Sequence, residues 1–160
     1  MFLFDSNTFI EAKNRYYAFD IVPAFWTWLE KVVQEDVRII EPVLSELTGY
    51  GDEVSQWILD HKNSDWVLSI DDKETQETFA GIALELASSS YMRPGVEKFL
   101  SGADPWLIAK AQVIGATVVT HEVFDEKCKR RVPIPNLCQP RGVKFMNTFE
   151  VLRFKAAKFV

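Results

Sequence analysis

Short apolar runs separated by stretches of helical periodicity constrain this chain more than any other feature. Phe2–Phe4 and Val37–Ile40 read as short buried strands. Thr117-Val118-Val119-Thr120 is apolar and β-branched, which predicts a central strand. Residues 143–146 give a last strand, and residues 66–70 alternate weakly in the extended manner. Helical spacing fills the intervals: 8–19, then Pro23 to about residue 34, a short helix from Pro42 stopped by Gly49 and Gly51, and 52–61. Asp71-Asp72 places acids at the start of a long helix running to about residue 88, as the helix dipole prefers. A short helix follows at 96–100. Another starts with Asp104 as N-cap and Pro105 at the first helical position, ending at Gly115, and the last covers 148–158. Strands alternating with helices imply right-handed crossovers and a doubly wound, mostly parallel sheet. The expectation is a three-layer α/β/α architecture. With no linker-like segment, one domain spans 1–160.

Bulk properties agree with this. Hydrophobic residues make up 48% of the chain, enough for a full core, and nothing suggests disorder. No apolar run approaches the ~20 residues needed to span a bilayer. Asp5 interrupts Met1-Phe2-Leu3-Phe4 and no basic segment precedes it, so no secretory signal is read and a cytoplasmic location is expected. Cys128 and Cys138 are then expected to be free thiols. Trp57 and Trp106 are assigned to the core rather than to base stacking.

The net charge of −5 is unevenly distributed. Residues 1–125 carry 9 basic and 21 acidic side chains; residues 126–160 carry 9 basic and 2 acidic. Lys127, Lys129, Arg130 and Arg131 form the densest basic cluster. It is either a solvated face, an anchor for an acidic protein, or a contact to a nucleic-acid backbone.

Four acids stand at the ends of apolar segments: Asp5, Glu46, Asp104 and Glu122. Taken singly, each has an ordinary explanation as a turn residue, a solvated helix residue, a cap or a loop acid. In a parallel sheet, however, the carboxyl ends of the strands share one rim, where ligands bind. Carboxylates delivered there form a pocket of hard oxygen donors suited to Mg2+ or Mn2+. Such a pocket suits metal-assisted attack on phosphate esters. No P-loop and no GxGxxG sequence is present, and the Asp-x-Asp pair of many small-molecule phosphohydrolases is missing, since Asn7 follows Asp5.

The conjunction resembles a known family. Phe2-Leu3-Phe4-Asp5-Ser6-Asn7 looks like the opening motif of PIN domains, and Val43-Leu44-Ser45-Glu46-Leu47 resembles their second acidic motif. Ala103-Asp104-Pro105-Trp106-Leu107-Ile108-Ala109 resembles the third, and Val118-Val119-Thr120-His121-Glu122 the fourth, which usually ends in Asp. The resemblance covers roughly residues 1–147. Ile134-Pro135-Asn136-Leu137-Cys138 followed by Val143-Lys144-Phe145 is similar to a PIN-like branch near the VapC-type toxins. The resemblance implies a Mg2+- or Mn2+-dependent endoribonuclease, the toxin of a toxin–antitoxin module, with an antitoxin partner and RNA as substrate. It implies Asp5, Glu46, Asp104 and Glu122 as metal-pocket acids, oriented by Ser6, Asn7 and Thr120, with Asp125 as a substitute for Glu122. Lys127, Lys129, Arg130 and Arg131 become candidate RNA contacts. The apolar face of the helices within 8–34 is a candidate homodimer surface. The rival reading is a non-catalytic interaction or RNA-binding module on the same fold.

Overall fold

Phe2, Leu3 and Phe4 are all buried, although successive residues of a strand point to opposite faces. The strand they form is therefore covered on both sides, which places it at the centre of a layered structure. The computed structural model of the protein describes residues 1–61 and 65–159. Among these, five strands form one sheet: β1 (Phe2–Phe4), β2 (Val37–Ile40), β3 (Val67–Leu68), β4 (Thr117–Val119) and β5 (Phe145–Met146). Their order is β3-β2-β1-β4-β5, and every pairing is parallel. Val37, Ile39, Ile40, Val118 and Val119 are as fully buried as β1, so helices lie on both faces.

From β1 the chain moves outward to β2 and β3, then returns to the other side of β1 as β4. The direction of winding thus reverses between β1 and β4, the place where open parallel sheets bind ligands. The register pairs Phe4 with Val119. The residues that follow, Asp5 and Thr120, consequently leave the sheet side by side.

The helices are α1 (Ser6–Glu11), α2 (Pro23–Glu35), α3 (Glu41–Thr48), α4 (Glu53–His61), α5 (Lys73–Ala87), α6 (Arg93–Leu100), α7 (Asp104–Ile114), α8 (Ile134–Cys138) and α9 (Thr148–Phe154). α7 buries Leu107, Ile108, Ala109 and Ala111 and packs on α5. Gly115 ends α7 in the left-handed region at φ 66°, and the Ala116 N–H then bonds the Ala111 carbonyl at 3.0 Å. A side chain at that φ would be strained, which is why glycine terminates this helix.

Three local expectations are corrected. The helix read over 8–19 begins at Ser6 and passes into a π-helical stretch, Ala12–Tyr16, before the chain turns. Asp104 is not the N-cap of α7 but its first helical residue; Ala103 is the cap. Its carboxylate is thereby released from capping. The loop after β4 contains a short helix, α8, led in by Pro133.

The aromatic residues are largely core. Trp26 and Trp57 meet at 5.3 Å, Trp57 and Trp66 at 6.1 Å, and Trp106 stacks on Phe79 at 3.7 Å. α2 turns Phe25, Trp26, Leu29, Val32 and Val33 inward. The apolar stripe of that helix is therefore used within the chain. Cys128 and Cys138 are unpaired thiols, and burial pushes Cys138 up to about 12. Among the described residues no helix is long and apolar enough to cross a membrane.

Candidate active site

Asp5 is the first residue beyond β1 and is completely buried. Its backbone N–H continues the ladder to the Val119 carbonyl at 3.0 Å, which fixes its position against β4. Thr120, the corresponding residue beyond β4, donates its hydroxyl to Asp5 Oδ2 at 3.0 Å. Ser6 donates to Glu46 Oε2 at 2.8 Å and lies 3.3 Å from Asp5 Oδ1. Glu46 reaches across from α3, and its Oε1 accepts the Ala103 N–H at 3.0 Å. That donor is the N-cap amide of α7, so Glu46 ties the start of α7 to the end of β1.

Glu46, Asp104 and Glu122 line one cleft of about 430 Å3 together with Ser6 and Asn7, and Asp5 lies beneath it. Burial pushes the Asp104 carboxyl up to about 8, reinforced by the charges of Asp5, Glu122 and Glu46 and partly opposed by Arg131. Asp5 is raised to about 6, chiefly by burial, against the hydrogen bonds from Thr120 and the Asn7 backbone. Both shifts have the same origin: carboxylates gathered with little water between them.

Glu122 differs from the other three. Its Oε1 accepts from Arg131 Nη1 at 2.7 Å and its Oε2 from the Ile134 N–H at 2.6 Å. Both oxygens therefore hold the loop that carries α8. The Glu122 N–H in turn donates to Thr120 Oγ1 at 3.2 Å, joining this loop to Asp5 through one hydroxyl. Asp125 sits outside the cleft lining: it is exposed, and its carboxylate caps the Lys127 N–H at 3.0 Å. His121 is engaged elsewhere, 2.9 Å from Thr148 Oγ1 and stacked on Tyr16.

Of the four basic residues singled out in the sequence, only Arg131 lines the cleft. Lys129 lies over the Tyr91 ring at 5.4 Å, and Lys127, Lys129 and Arg130 are exposed on the flanking loop. Gly95 on α6 makes this loop possible. A Cβ there would stand 2.3 Å from the Arg130 carbonyl oxygen, so only glycine lets the loop lie on the helix. The cleft also holds Lys98 on α6 and Tyr50 after α3, which no local sequence signal marks.

The profile of DUF4411, described as a domain of unknown function, matches residues 2–159. The chain belongs to this family. The fold of the chain is PIN-like, and solved structures agree on it. A chain of FitAcB from Neisseria gonorrhoeae superposes with a TM-score of 0.56 at 20% identity, covering 93% of this chain and 99% of that one. A chain of VapBC2 from Rickettsia felis, bound to a DNA fragment from its promoter, gives 0.54 at 16% identity, covering 91% and 97%. FitAB bound to an IR36 DNA fragment gives 0.51 at 18%, covering 92% and 94%. A search of curated proteins returns no match. The DUF4411 chain thus has a three-layer α/β/α PIN-like fold with its acids at the switch point of the sheet.

Among the described residues no three of Asp, Glu, His and Cys are already drawn together as a chelating group. The chemistry of the set nevertheless fits a hard cation. Asp5, Glu46 and Asp104 supply oxygen donors only, and two of them are held above the usual carboxylate range by burial and mutual repulsion. Asp104 accepts no hydrogen bond among the described residues, so it is the carboxylate most available to a ligand.

Proposed function

We propose that this DUF4411 protein is a Mg2+- or Mn2+-dependent endoribonuclease of the toxin type. The observation that carries the reading is the placement of the Asp104 carboxylate, which accepts no hydrogen bond among the described residues, in one cleft with Glu46 and Glu122 and above Asp5 at the β1–β4 switch point. Asp5 and Asp104 would hold the cation, with Glu46 completing the set. A bound divalent ion supplies a water of lowered pKa and stabilises charge on the phosphate oxygens. Thr120 and Ser6 orient the Asp5 and Glu46 carboxylates, a role that commonly matters nearly as much as ligation. Glu122 acts one step removed, by holding Arg131 and the α8 loop at the cleft. Lys127, Lys129 and Arg130 extend the basic surface beside it and suit sequence-independent contact to an RNA backbone.

The similar structures belong to the two-component complexes VapBC2 and FitAB, which supports a cognate antitoxin as partner. A non-catalytic RNA-binding module is the second reading, favoured by the full engagement of both Glu122 oxygens. Hydrolysis of single-stranded RNA in Mn2+ separates the two. Cleavage by the wild type, lost in Asp5→Asn and Asp104→Asn proteins that still fold, is the expected result. Equal rates in all three contradict the ribonuclease reading.

A further inference from the structure

Two side chains at the acidic cleft take no part in holding the carboxylates. Tyr50 follows α3 and is 75% exposed, with no hydrogen bond or ring partner among the described residues. Lys98 stands on α6 at the same cleft, exposed and without an ion pair among the described residues. The other cation of the cleft, Arg131, is already bonded to Glu122. Buried aromatics here are packed against one another, so Tyr50 is an aromatic ring presented to the cleft rather than to the core.

A free ring and a free ammonium on one cleft match the two parts of a nucleotide. Bases of single strands stack on aromatic side chains whatever their sequence, while cations track the backbone. We propose that Tyr50 and Lys98 form a seat for one nucleotide of single-stranded RNA, the ring against the base and the ammonium against its phosphate. The proposal rests on the ribonuclease reading and adds to it the two side chains that seat the substrate beside the acids. A base must be unstacked to reach Tyr50, so the seat selects single strands over duplex. The cleft volume of about 430 Å3 lies in the range of small-ligand pockets, ~300–1,000 Å3, and suits one nucleotide better than a helix.

The test is fluorescence anisotropy with a phosphorothioate-linked single-stranded oligouridylate in Mn2+, across a salt series. Cleavage of ordinary RNA by the wild type is measured in parallel. Tyr50→Ala is expected to weaken binding roughly tenfold with an unchanged salt slope, and Tyr50→Phe to stay within about twofold of wild type. Lys98→Ala is expected to reduce the slope of log affinity against log salt by about 0.7. Wild-type affinity in Tyr50→Ala, with an unchanged slope in Lys98→Ala, overturns the seat. If the wild type still cleaves RNA, the ribonuclease reading survives that result, and Tyr50 becomes a candidate protein contact. A wild type that neither binds nor cleaves RNA overturns both.

Discussion

Ser6 and Glu46 are joined by a 2.8 Å hydrogen bond between residues forty positions apart, linking the end of β1 to α3. The bond leaves Glu46 with both oxygens satisfied by groups that also define the cleft: the Ser6 hydroxyl and the N-cap amide of α7. Ser6→Ala removes one of them. The expected cost in stability is about 1 kcal/mol, the usual contribution of one internal hydrogen bond. The expected loss in Mn2+ affinity is larger, roughly tenfold or more, because orienting groups of this kind control ligand geometry. Thermal melts and a Mn2+ titration of the same variant measure the two separately.

Asp104 makes stability depend on pH in a direction opposite to ordinary acids. Its carboxyl is raised to about 8 from an unfolded value near 4, so the folded state binds the extra proton between these limits. The stabilisation is fully present below about pH 4 and is lost as pH rises through 8. Asp5, raised to about 6, contributes in the same sense over a narrower window. In a chelator, Asp104→Asn should therefore be more stable than wild type at pH 8, by about 2 kcal/mol, or ~4–8 °C. Near pH 4 the difference should vanish. Melting curves at both pH values decide it.

Glu122 accepts from Arg131 and from the Ile134 N–H. Glu122→Ala leaves the Ile134 amide without its partner at the start of α8. A loss of about 1–3 kcal/mol is expected, with Glu122→Gln retaining part of it. Hydrogen exchange should rise across residues 122–134 in the alanine variant. Unchanged exchange there would assign Glu122 to another role.

Much of this was legible because strands and their terminal acids are local signals. The runs at β1, β2 and β4 are apolar or β-branched, and Asp5 and Thr120 follow them directly. Other elements were hidden by competing effects. The helix after Asp5 bears no breaker at Ala12, yet it widens into a π-helical stretch whose Lys13 pairs with Asp52. Asp104 before Pro105 has the form of a cap, but Glu46 takes the Ala103 amide and Asp104 becomes helical. α8 has five residues, with Pro133 as its N-cap and Pro135 within its first turn, so no periodicity could reveal it. The cleft residues Lys98, Tyr50 and Gly95 come from separate segments that only the folded chain brings together. Basic clustering pointed to residues 127–131, whereas the cleft cation without an ion pair among the described residues stands on α6.

Whether Asp5 and Asp104 hold a divalent ion is read most directly by titrating Mn2+ at pH 7 with calorimetry and thermal melts. The wild type should bind Mn2+ with release of protons, because raised carboxyls must ionise to ligate. At a hundredfold excess over the dissociation constant the gain is about 2.7 kcal/mol, or ~5–10 °C in Tm. Asp5→Asn and Asp104→Asn should show neither binding nor shift. Equal shifts in wild type and both variants, or none in any at millimolar Mn2+, would contradict a cation site at the β1–β4 switch point.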